Sequence, residues 1–263
     1  MSEQRRINRG RIDRKSPLSF TFNGSTFTGY AGDTLASALL ANGVRIVGRS
    51  FKYHRPRGIY SAGSEEPNAL VTLNRGPGRV TPNLPATTME LFDGLAASSQ
   101  NHWPSLRFDA GRINDLLHPL FSAGFYYKTF MWPKSFWDKV YEPLIRRAAG
   151  LGRAPTCEDA DNYACQFAFC DVLVIGGGPA GLAAALAASQ TGARVILADE
   201  QSELGGTLLS DCCSSINGQA SDEWLGRTIS ELSERDNVRL LARTTAFGAY
   251  HENFFGLCES LTD

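Results

Sequence analysis

The sequence predicts a protein of two fold classes, in which an α+β domain of the β-grasp type precedes an α/β domain of the Rossmann type. An Asn-Gly turn at residues 23–24, between strands that alternate apolar and polar residues and before a short helix, is typical of a β-grasp opening. Residues 172–175 form an apolar run that leads into a glycine-rich turn and an alanine-rich helix, as in nucleotide-binding βαβ units. The 263 residues, 43% of them hydrophobic, suffice for about two globular units.

The first domain is expected to occupy residues 16–110. Its hairpin pairs Leu18–Phe22 with Ser25–Thr28, and the helix that follows is capped by Asp33 or Thr34. This helix runs through Ala41, and Gly43 ends it.

The second domain, residues 169–263, opens with the glycine-rich turn. Residues 172–175 lack alternation, so we expect a parallel strand that is buried on both faces. Gly176 permits a tight turn, Gly178 lets the backbone approach a pyrophosphate, and Gly181 lets the next helix pack closely. The N-terminus of that helix then presents free N–H groups to the anion. The expected contacts of the pyrophosphate are Gly176, Gly178, Pro179, Ala180 and Gly181.

An acidic pair follows the second strand of this domain. The helix over 182–189 is terminated by Gly192, and the strand over 194–198 ends in Asp199-Glu200. An acid about 20 residues after the glycines binds ribose hydroxyls and disfavours a 2′-phosphate, which indicates NAD or FAD rather than NADP. Asp199 is the first choice by spacing and Glu200 the second, and the alternative is that both lie at a solvated strand end.

A Gly205-Gly206 pair follows Asp199 after five residues, and this acid-x5-GG element resembles the two-dinucleotide-binding flavoproteins. The further cofactor-binding candidates are Gln201, Gly206 and Thr207. The third strand is expected at Val238–Ala242 and a hairpin through Tyr250–Gly256.

Composition excludes several classes of function. The net charge of −1 gives no general attraction to nucleic acid or anionic membranes, and no apolar stretch reaches the roughly 18 residues of a membrane span. Residues 1–15 are basic but lack the apolar core of a secretory signal, so they are interpreted as a mobile arm or as a docking segment for an acidic partner subunit.

The six cysteines are too few for a secreted disulfide scaffold, which indicates a reducing cytoplasm. The spacing of Cys157, Cys165 and Cys170 matches no standard zinc site, so no metal ligand is predicted. The vicinal Cys212-Cys213 is not placed as in disulfide reductases, because Leu208 stands where their first cysteine follows the glycine pair.

Residues 111–168 are expected to connect the two domains. The aromatic density of 121–141 is too high for a free linker, so this segment is interpreted as an interdomain core or as a surface buried by another subunit. Residues 141–149 are predicted to be helical, and 150–155 to form the linker into the nucleotide-binding domain.

The first domain resembles the plant-type [2Fe–2S] ferredoxins in Gly32-Asp-Thr-Leu35 and Ala38-Leu-Leu-Ala-Asn-Gly43. The cluster of those proteins is held by four cysteines, whereas this chain has none before Cys157. The predicted fold is therefore a ferredoxin-like β-grasp domain without an iron–sulfur cluster, followed by a Rossmann-like two-dinucleotide-binding domain that is incomplete at its C-terminus.

Three motifs in this order resemble the α subunits of heterotetrameric sarcosine oxidases. The first is Arg49–Gly58 continuing to Ala62–Val71, in place of the ferredoxin cluster loop. The second is Gly124–Pro133 with Tyr141–Gly150, and the third is the dinucleotide motif with Asp199-Glu200-Gln201.

This resemblance implies oxidative demethylation of sarcosine to glycine, with formaldehyde or methylenetetrahydrofolate and hydrogen peroxide as further products. It implies partner β, γ and δ subunits, FAD in the β subunit, FMN at the α/β interface, and NAD on the α subunit, with FAD as the alternative occupant. Sarcosine and tetrahydrofolate are then substrates of the whole complex. No catalytic side chain is assigned to this chain, and His54 is interpreted as a structural histidine rather than as an acid/base group.

The chain ends at Asp263, before the folate-binding half that the resemblance implies, so a truncated product, a segment or a split-gene subunit is expected. Two alternatives remain open. One is a subunit of a related FAD-dependent opine dehydrogenase or hydrogen cyanide synthase, and the other is a non-catalytic assembly fragment.

Overall fold

The computed structural model describes residues 5–7, 10–120, 124, 130, 132–148, 150–211 and 213–261. The chain forms two compact units, which divide after residue 162 except that residues 8–11 are grouped with the second unit. They are called the N-terminal unit and the C-terminal unit below.

The N-terminal unit is built on a five-stranded sheet with the strand order β2-β1-β7-β5-β6. Strands β1 and β7 are parallel, and the other neighbours are antiparallel. Its sheet strands and first helix are β1 (Asp13–Phe22), β2 (Ser25–Ala31), α1 (Leu35–Ala41), β5 (Leu70–Asn74), β6 (Val80–Pro85) and β7 (Ala96–Ser99). A separate two-stranded ribbon consists of β3 (Gly48–Arg49) and β4 (Pro56–Arg57).

The predicted hairpin and helix are both confirmed. Asn23 and Gly24 have φ angles of 50° and 77°, so the turn between β1 and β2 is of the left-handed kind that Asn-Gly favours. Thr34 is the N-cap of α1 and forms a capping box with Ser37. Gly43, with φ of 81°, follows the helix end.

Helix α1 covers one face of the sheet. Leu35 and Leu39 are fully buried in a cluster with Phe20 and Val71. Burial of each leucine side chain contributes roughly 1.5–3 kcal/mol. The core of this unit therefore depends on a helix of seven residues whose start is fixed by its capping box.

The N-terminal arm is anchored at Arg6, so its interpretation as mobile is wrong at this residue. The Arg6 guanidinium donates to both carboxylate oxygens of Asp33 at 2.9 and 2.6 Å, and both side chains are buried. Asp33 also accepts a hydrogen bond from Ser37. The acid that leads into α1 therefore attaches the arm to the domain, a contact that spacing along the chain does not predict.

Beyond the sheet, the N-terminal unit contains short helical segments. These include α2 (Ile113–Leu116), a π-helical turn at Trp137–Tyr141 and α3 (Glu142–Ala148), which lies in the predicted helical region. Most of the aromatic segment at 121–131 lies outside the described residues.

Residues 150–155 were predicted to form the linker into the nucleotide-binding domain, and the region 150–161 makes contacts within the N-terminal unit. The Gly152 N–H donates to Asn83 Oδ1 at 2.8 Å, and the Arg79 guanidinium lies 2.8 Å from an Asp161 carboxylate oxygen. Gly152 is also needed here, because a Cβ would lie 2.5 Å from Cβ of Pro82. The segment is therefore held against the N-terminal unit, and its role as the linker stays a prediction.

The C-terminal unit contains a three-stranded parallel sheet with the order β12-β9-β8. Its elements are β8 (Val172–Ile175), α4 (Pro179–Gln190), β9 (Val195–Ala198), β10 (Ser215–Ile216), β11 (Gln219–Ala220), α5 (Ser221–Ser233), β12 (Val238–Leu241), β13 (Thr244–Ala249) and β14 (Phe255–Glu259). The predicted third strand and the hairpin around residues 250–256 are thus confirmed.

Strand β8 departs from expectation, since it is half-buried rather than buried on both faces, and Ile175 is 54% exposed. The reason is its place at the sheet edge, where the described residues supply a neighbour, β9, on one side only. The central strand β9 is fully buried, as is usual for a strand in a parallel sheet.

Helices α4 and α5 pack on this sheet. Leu182 of α4 and Leu225 and Leu232 of α5 are fully buried in one cluster with Leu197 of β9. Among the helices that the structure describes, none combines the length and the apolar character needed to cross a bilayer.

Candidate nucleotide-binding site

The glycine turn between β8 and α4 requires two of its glycines for reasons of backbone geometry. Gly176 has φ of 102°, a region that side chains other than glycine rarely adopt, and its N–H donates to the Ala198 carbonyl at 2.8 Å. A Cβ on Gly181 would lie 1.8 Å from the Gly176 carbonyl oxygen. The expected roles of these two glycines in turning the chain and in bringing the helix close are confirmed by this geometry.

Gly178 is the N-cap of α4, and the space beside it is open. A Cβ on this residue would have no neighbour nearer than the Gly206 Cα at 4.0 Å. Pro179 follows at the first helical position, where its missing N–H costs no hydrogen bond. The N–H groups of Ala180 and Gly181 find no acceptor within the part of the chain that the structure describes. The turn therefore combines open space at Gly178 with helix N–H groups that have no acceptor among the described residues, as an anion-binding helix terminus does.

Asp199 closes the turn from the end of β9. One carboxylate oxygen accepts the Gly177 N–H at 2.5 Å and the other accepts the Gln201 N–H at 2.8 Å. The residue is 9% exposed, whereas Glu200 is exposed. Of the two predicted acids, only Asp199 is thus brought to the glycine turn, and its contact with a ribose stays a prediction.

The glycine pair after Asp199 lies directly against the turn. The Gly205 N–H donates to the Gly177 carbonyl at 2.8 Å. A Cβ on Gly206 would lie 2.9 Å from the Gly178 Cα. Gly206 begins a short 3₁₀ helix in which Thr207 is exposed. The structure thus brings together the predicted candidates Gly176, Gly178, Asp199 and Gly206.

Sequence reasoning missed Gly177 and Gly205 as site residues. Gly177 is buried, and a Cβ there would lie 2.6 Å from Leu204 Cδ2, while Gly205 has φ of 140°. The sequence did carry a signal for both. The GxGxxG motif requires glycine at 176, 178 and 181 but not at 177, so the uninterrupted run at 176–178 indicates a separate reason for Gly177, and the pair at 205–206 does the same for Gly205.

His54 lies in the N-terminal unit, where it packs as a structural side chain. Its Nδ1 lies 2.7 Å from Asp109 Oδ2, and a Cβ on Gly111 would collide with its ring at 2.4 Å. Burial raises the pKa of Asp109, but hydrogen bonds from the Trp103 N–H, His54 and the Gly111 N–H outweigh it and hold that pKa below its usual value. A hydrogen bond to a buried carboxylate in so tight a space favours the structural interpretation of His54.

The cysteines that the structure describes lie mostly at the surface. Cys157, Cys165, Cys213 and Cys258 are exposed and Cys170 is partly buried, while Cys212 lies outside the described residues. Among the residues that the structure describes, no three His, Cys, Asp or Glu side chains are grouped to hold a metal ion.

Two protein families match the chain. Residues 15–102 match the family described as a 2Fe-2S iron-sulfur cluster binding domain, and residues 171–254 match FAD dependent oxidoreductases. These matches support the mixed architecture of a ferredoxin-like domain beside a Rossmann-type domain.

Relatives extend this similarity along the chain. Sarcosine oxidase subunit alpha of Rhizobium meliloti is 60% identical over 98% of the chain, and that of Corynebacterium sp. (strain U-96) is 37% identical over 93%. The chain spans only 26% and 20% of the lengths of these two subunits. The crystal structure of L-proline dehydrogenase from P. horikoshii covers 93% of the chain and is itself 37% covered, with a TM-score of 0.54 and 20% identity, which supports the fold alone.

Gly178 provides the sharpest test of the turn as a pyrophosphate site. Gly178→Val should abolish dinucleotide binding, because its side chain would fill the open space, while the melting temperature changes little. Gly181→Ala is the contrasting variant, since its Cβ would collide with the Gly176 carbonyl and should destabilise the C-terminal unit itself. Calorimetric titration and thermal unfolding of both variants measure this, and unchanged affinity in Gly178→Val would refute the site.

The two acids can be separated by paired alanine variants. Asp199→Ala should weaken dinucleotide binding by roughly 1.5–3 kcal/mol, because it removes a charged hydrogen-bond acceptor and frees the Gly177 N–H. Glu200→Ala, exposed and one residue away, is the matched control and should leave affinity nearly unchanged. Titration calorimetry decides the matter, and a large loss in Glu200→Ala alone would mean that the wrong acid has been assigned.

Proposed function

We propose that the chain is an N-terminal portion of a sarcosine oxidase alpha subunit, to which it is 60% identical in Rhizobium meliloti, and that it supplies the NAD-binding site and a subunit interface of such an oxidase. The observation that carries the proposal is the glycine turn, with its unpaired helix N–H groups and with Asp199 fixed against Gly177. This arrangement is suited to a dinucleotide pyrophosphate and to the ribose next to it.

The proposed reaction of the complete enzyme is the oxidative demethylation of sarcosine to glycine. The methyl carbon leaves as formaldehyde or as methylenetetrahydrofolate, and oxygen is reduced to hydrogen peroxide. The flavins, FAD and FMN, are assigned to the assembled complex with partner β, γ and δ subunits in a reducing cytoplasm. No side chain of this chain is assigned to the chemical step, so its part is to bind and to orient.

NAD is the proposed occupant of the glycine turn, and FAD is the alternative. The buried Asp199 carboxylate supports a nucleotide with a free 2′-hydroxyl, because a 2′-phosphate would meet its negative charge. A bound dinucleotide supplies hydride transfer in enzymes of this kind. The residues of the chain would then hold the pyrophosphate at Gly178 and the N-terminus of α4, with Gln201, Gly206 and Thr207 lining the same region.

The N-terminal unit is proposed to lack an iron–sulfur cluster. The matched ferredoxin-like region, residues 15–102, contains no cysteine, whereas clusters of the plant type require four thiolate ligands. The residues present therefore do not fit that group, and no electron transfer is assigned to this unit.

Exposed aromatic side chains on the N-terminal unit support a role in assembly. Trp103, Phe108 and Trp132 are 73%, 74% and 83% exposed. Large aromatic residues are favoured anchors of protein interfaces, and isolated soluble domains rarely expose several of them. We assign this surface to contact with partner subunits or with further sequence of the alpha subunit.

Two other functions are kept as alternatives. In the first, the chain belongs to an FAD-dependent opine dehydrogenase or to a hydrogen cyanide synthase, and FAD occupies the glycine turn. In the second, it is a non-catalytic assembly fragment that binds no nucleotide stably. The identity of the bound nucleotide separates these alternatives from the main proposal.

The test is to purify the chain alone and with the complete set of oxidase subunits, release bound nucleotides by denaturation, and identify them by chromatography and mass spectrometry. We expect NAD from the alpha subunit, no iron, and peroxide formation from sarcosine only in the complete assembly, because the flavins lie with the partners. The chain alone, supplied with FAD and FMN, should form no peroxide above background.

Other outcomes contradict specific parts of the proposal. FAD released from the glycine turn would favour the opine dehydrogenase class, and absence of any nucleotide would favour the assembly fragment. Peroxide production by the isolated chain would place the catalytic centre on this polypeptide. Stoichiometric iron in anaerobically purified protein would overturn the cluster-free assignment.

A further inference from the structure

The segment between α1 and β5 lacks the cysteines that a ferredoxin-like fold would lead one to expect there. It contains the ribbon β3–β4 and a loop over residues 58–69, and the sequence resemblance puts this segment in place of the ferredoxin cluster loop. That loop is long and has no cysteine, so some other interaction must hold it.

Glu66 is the centre of this loop. It is 5% exposed, and its carboxylate accepts three backbone hydrogen bonds. One oxygen accepts the N–H groups of Tyr60 and Ser61 at 2.6 and 2.7 Å, and the other accepts the N–H of Asn68 at 2.7 Å. Carboxylates are rarely buried in proteins. This one is stable because each of its oxygens accepts at least one hydrogen bond.

The neighbouring contacts tie the same loop to the rest of the unit. Thr87 Oγ1 donates to the Gly63 carbonyl at 2.5 Å, which joins the loop to the segment after β6. At the ribbon, the buried Arg49 guanidinium donates to the Leu106 carbonyl at 2.6 and 3.0 Å and to the His54 carbonyl at 3.1 Å. The buried Glu66 carboxylate thus accepts hydrogen bonds from backbone N–H groups, and the buried Arg49 guanidinium donates hydrogen bonds to backbone carbonyl groups.

We propose that the Glu66 carboxylate has taken over the structural role of the iron–sulfur cluster in this domain. A cluster is an anionic centre whose sulfur atoms accept hydrogen bonds from the surrounding chain. Glu66 is likewise an anionic acceptor, and it binds N–H groups from both ends of the loop, at residues 60–61 and at residue 68. The inference rests on the proposed absence of a cluster and extends it by naming the group that replaces the cluster as the organiser of the loop.

The proposal predicts a specific loss in Glu66→Gln. The amide retains one acceptor oxygen, but its NH2 group would face N–H donors at the other position. Hydrogen exchange, followed by mass spectrometry on the intact chain with its partner subunits, should then show roughly tenfold or greater loss of protection for the amides at 60, 61 and 68. The β1–β2 hairpin amides should keep their protection, since they do not touch Glu66.

Glu65→Gln is the matched control, because Glu65 is exposed and adjacent and should leave the protection of all three amides unchanged. If Glu66→Gln does not fold, Glu66→Asp serves instead. It keeps the negative charge on a side chain shorter by one methylene group, and the amides at 60, 61 and 68 should lose part of their protection. Unchanged protection in the folded Glu66→Gln or Glu66→Asp variant would overturn the inference.

Metal analysis of the wild-type protein distinguishes the proposed absence of a cluster from the proposed role of Glu66. Stoichiometric iron would refute the cluster-free assignment and the replacement together. Iron-free protein in which Glu66→Gln keeps its protection would refute the replacement alone.

Discussion

The approach of the Gly181 Cα to the Gly176 carbonyl is the constraint on which the C-terminal unit depends. It brings the start of α4 against the end of β8, and it is possible only because no Cβ intervenes. With the helix in this place, the Ala180 and Gly181 N–H groups lie in its first turn, next to the open space at Gly178, and have no acceptor among the described residues. The turn then offers its outer face to Asp199 and Gly205, which fix the intervening residue, Gly177. Fold and candidate site therefore share one steric requirement.

Both units use a buried carboxylate to close a loop of backbone. Asp199 accepts two N–H groups at the glycine turn, and Glu66 accepts three in the loop between α1 and β5. Charge-assisted hydrogen bonds of this kind offset the desolvation of the carboxylate and impose a defined loop geometry. In the C-terminal unit the loop so formed lies next to the open space at Gly178. In the N-terminal unit the carboxylate itself occupies the centre of the loop.

Features that depend on neighbours in sequence could be predicted. The Asn23-Gly24 turn, the Thr34 cap and the glycine turn each follow from the conformational preferences of a few adjacent residues. Asp199 was found because the distance from glycines to acid is fixed by one helix and one strand. Features that depend on distant contacts could not be predicted. Arg6 pairs with Asp33 and Gly152 docks on Asn83 across the fold, and β8 is half-buried because it is an edge strand.

The most direct measurement of the central claim is hydrogen exchange at the N-terminus of α4 with and without NAD, in the assembled complex. The account predicts that NAD increases protection of the Gly178, Ala180 and Gly181 amides, because the pyrophosphate accepts donors that otherwise meet only solvent. The β1–β2 hairpin in the other unit serves as the internal reference and should not change. Tight NAD binding with unchanged exchange at these amides would contradict the account, because the nucleotide would then lie elsewhere.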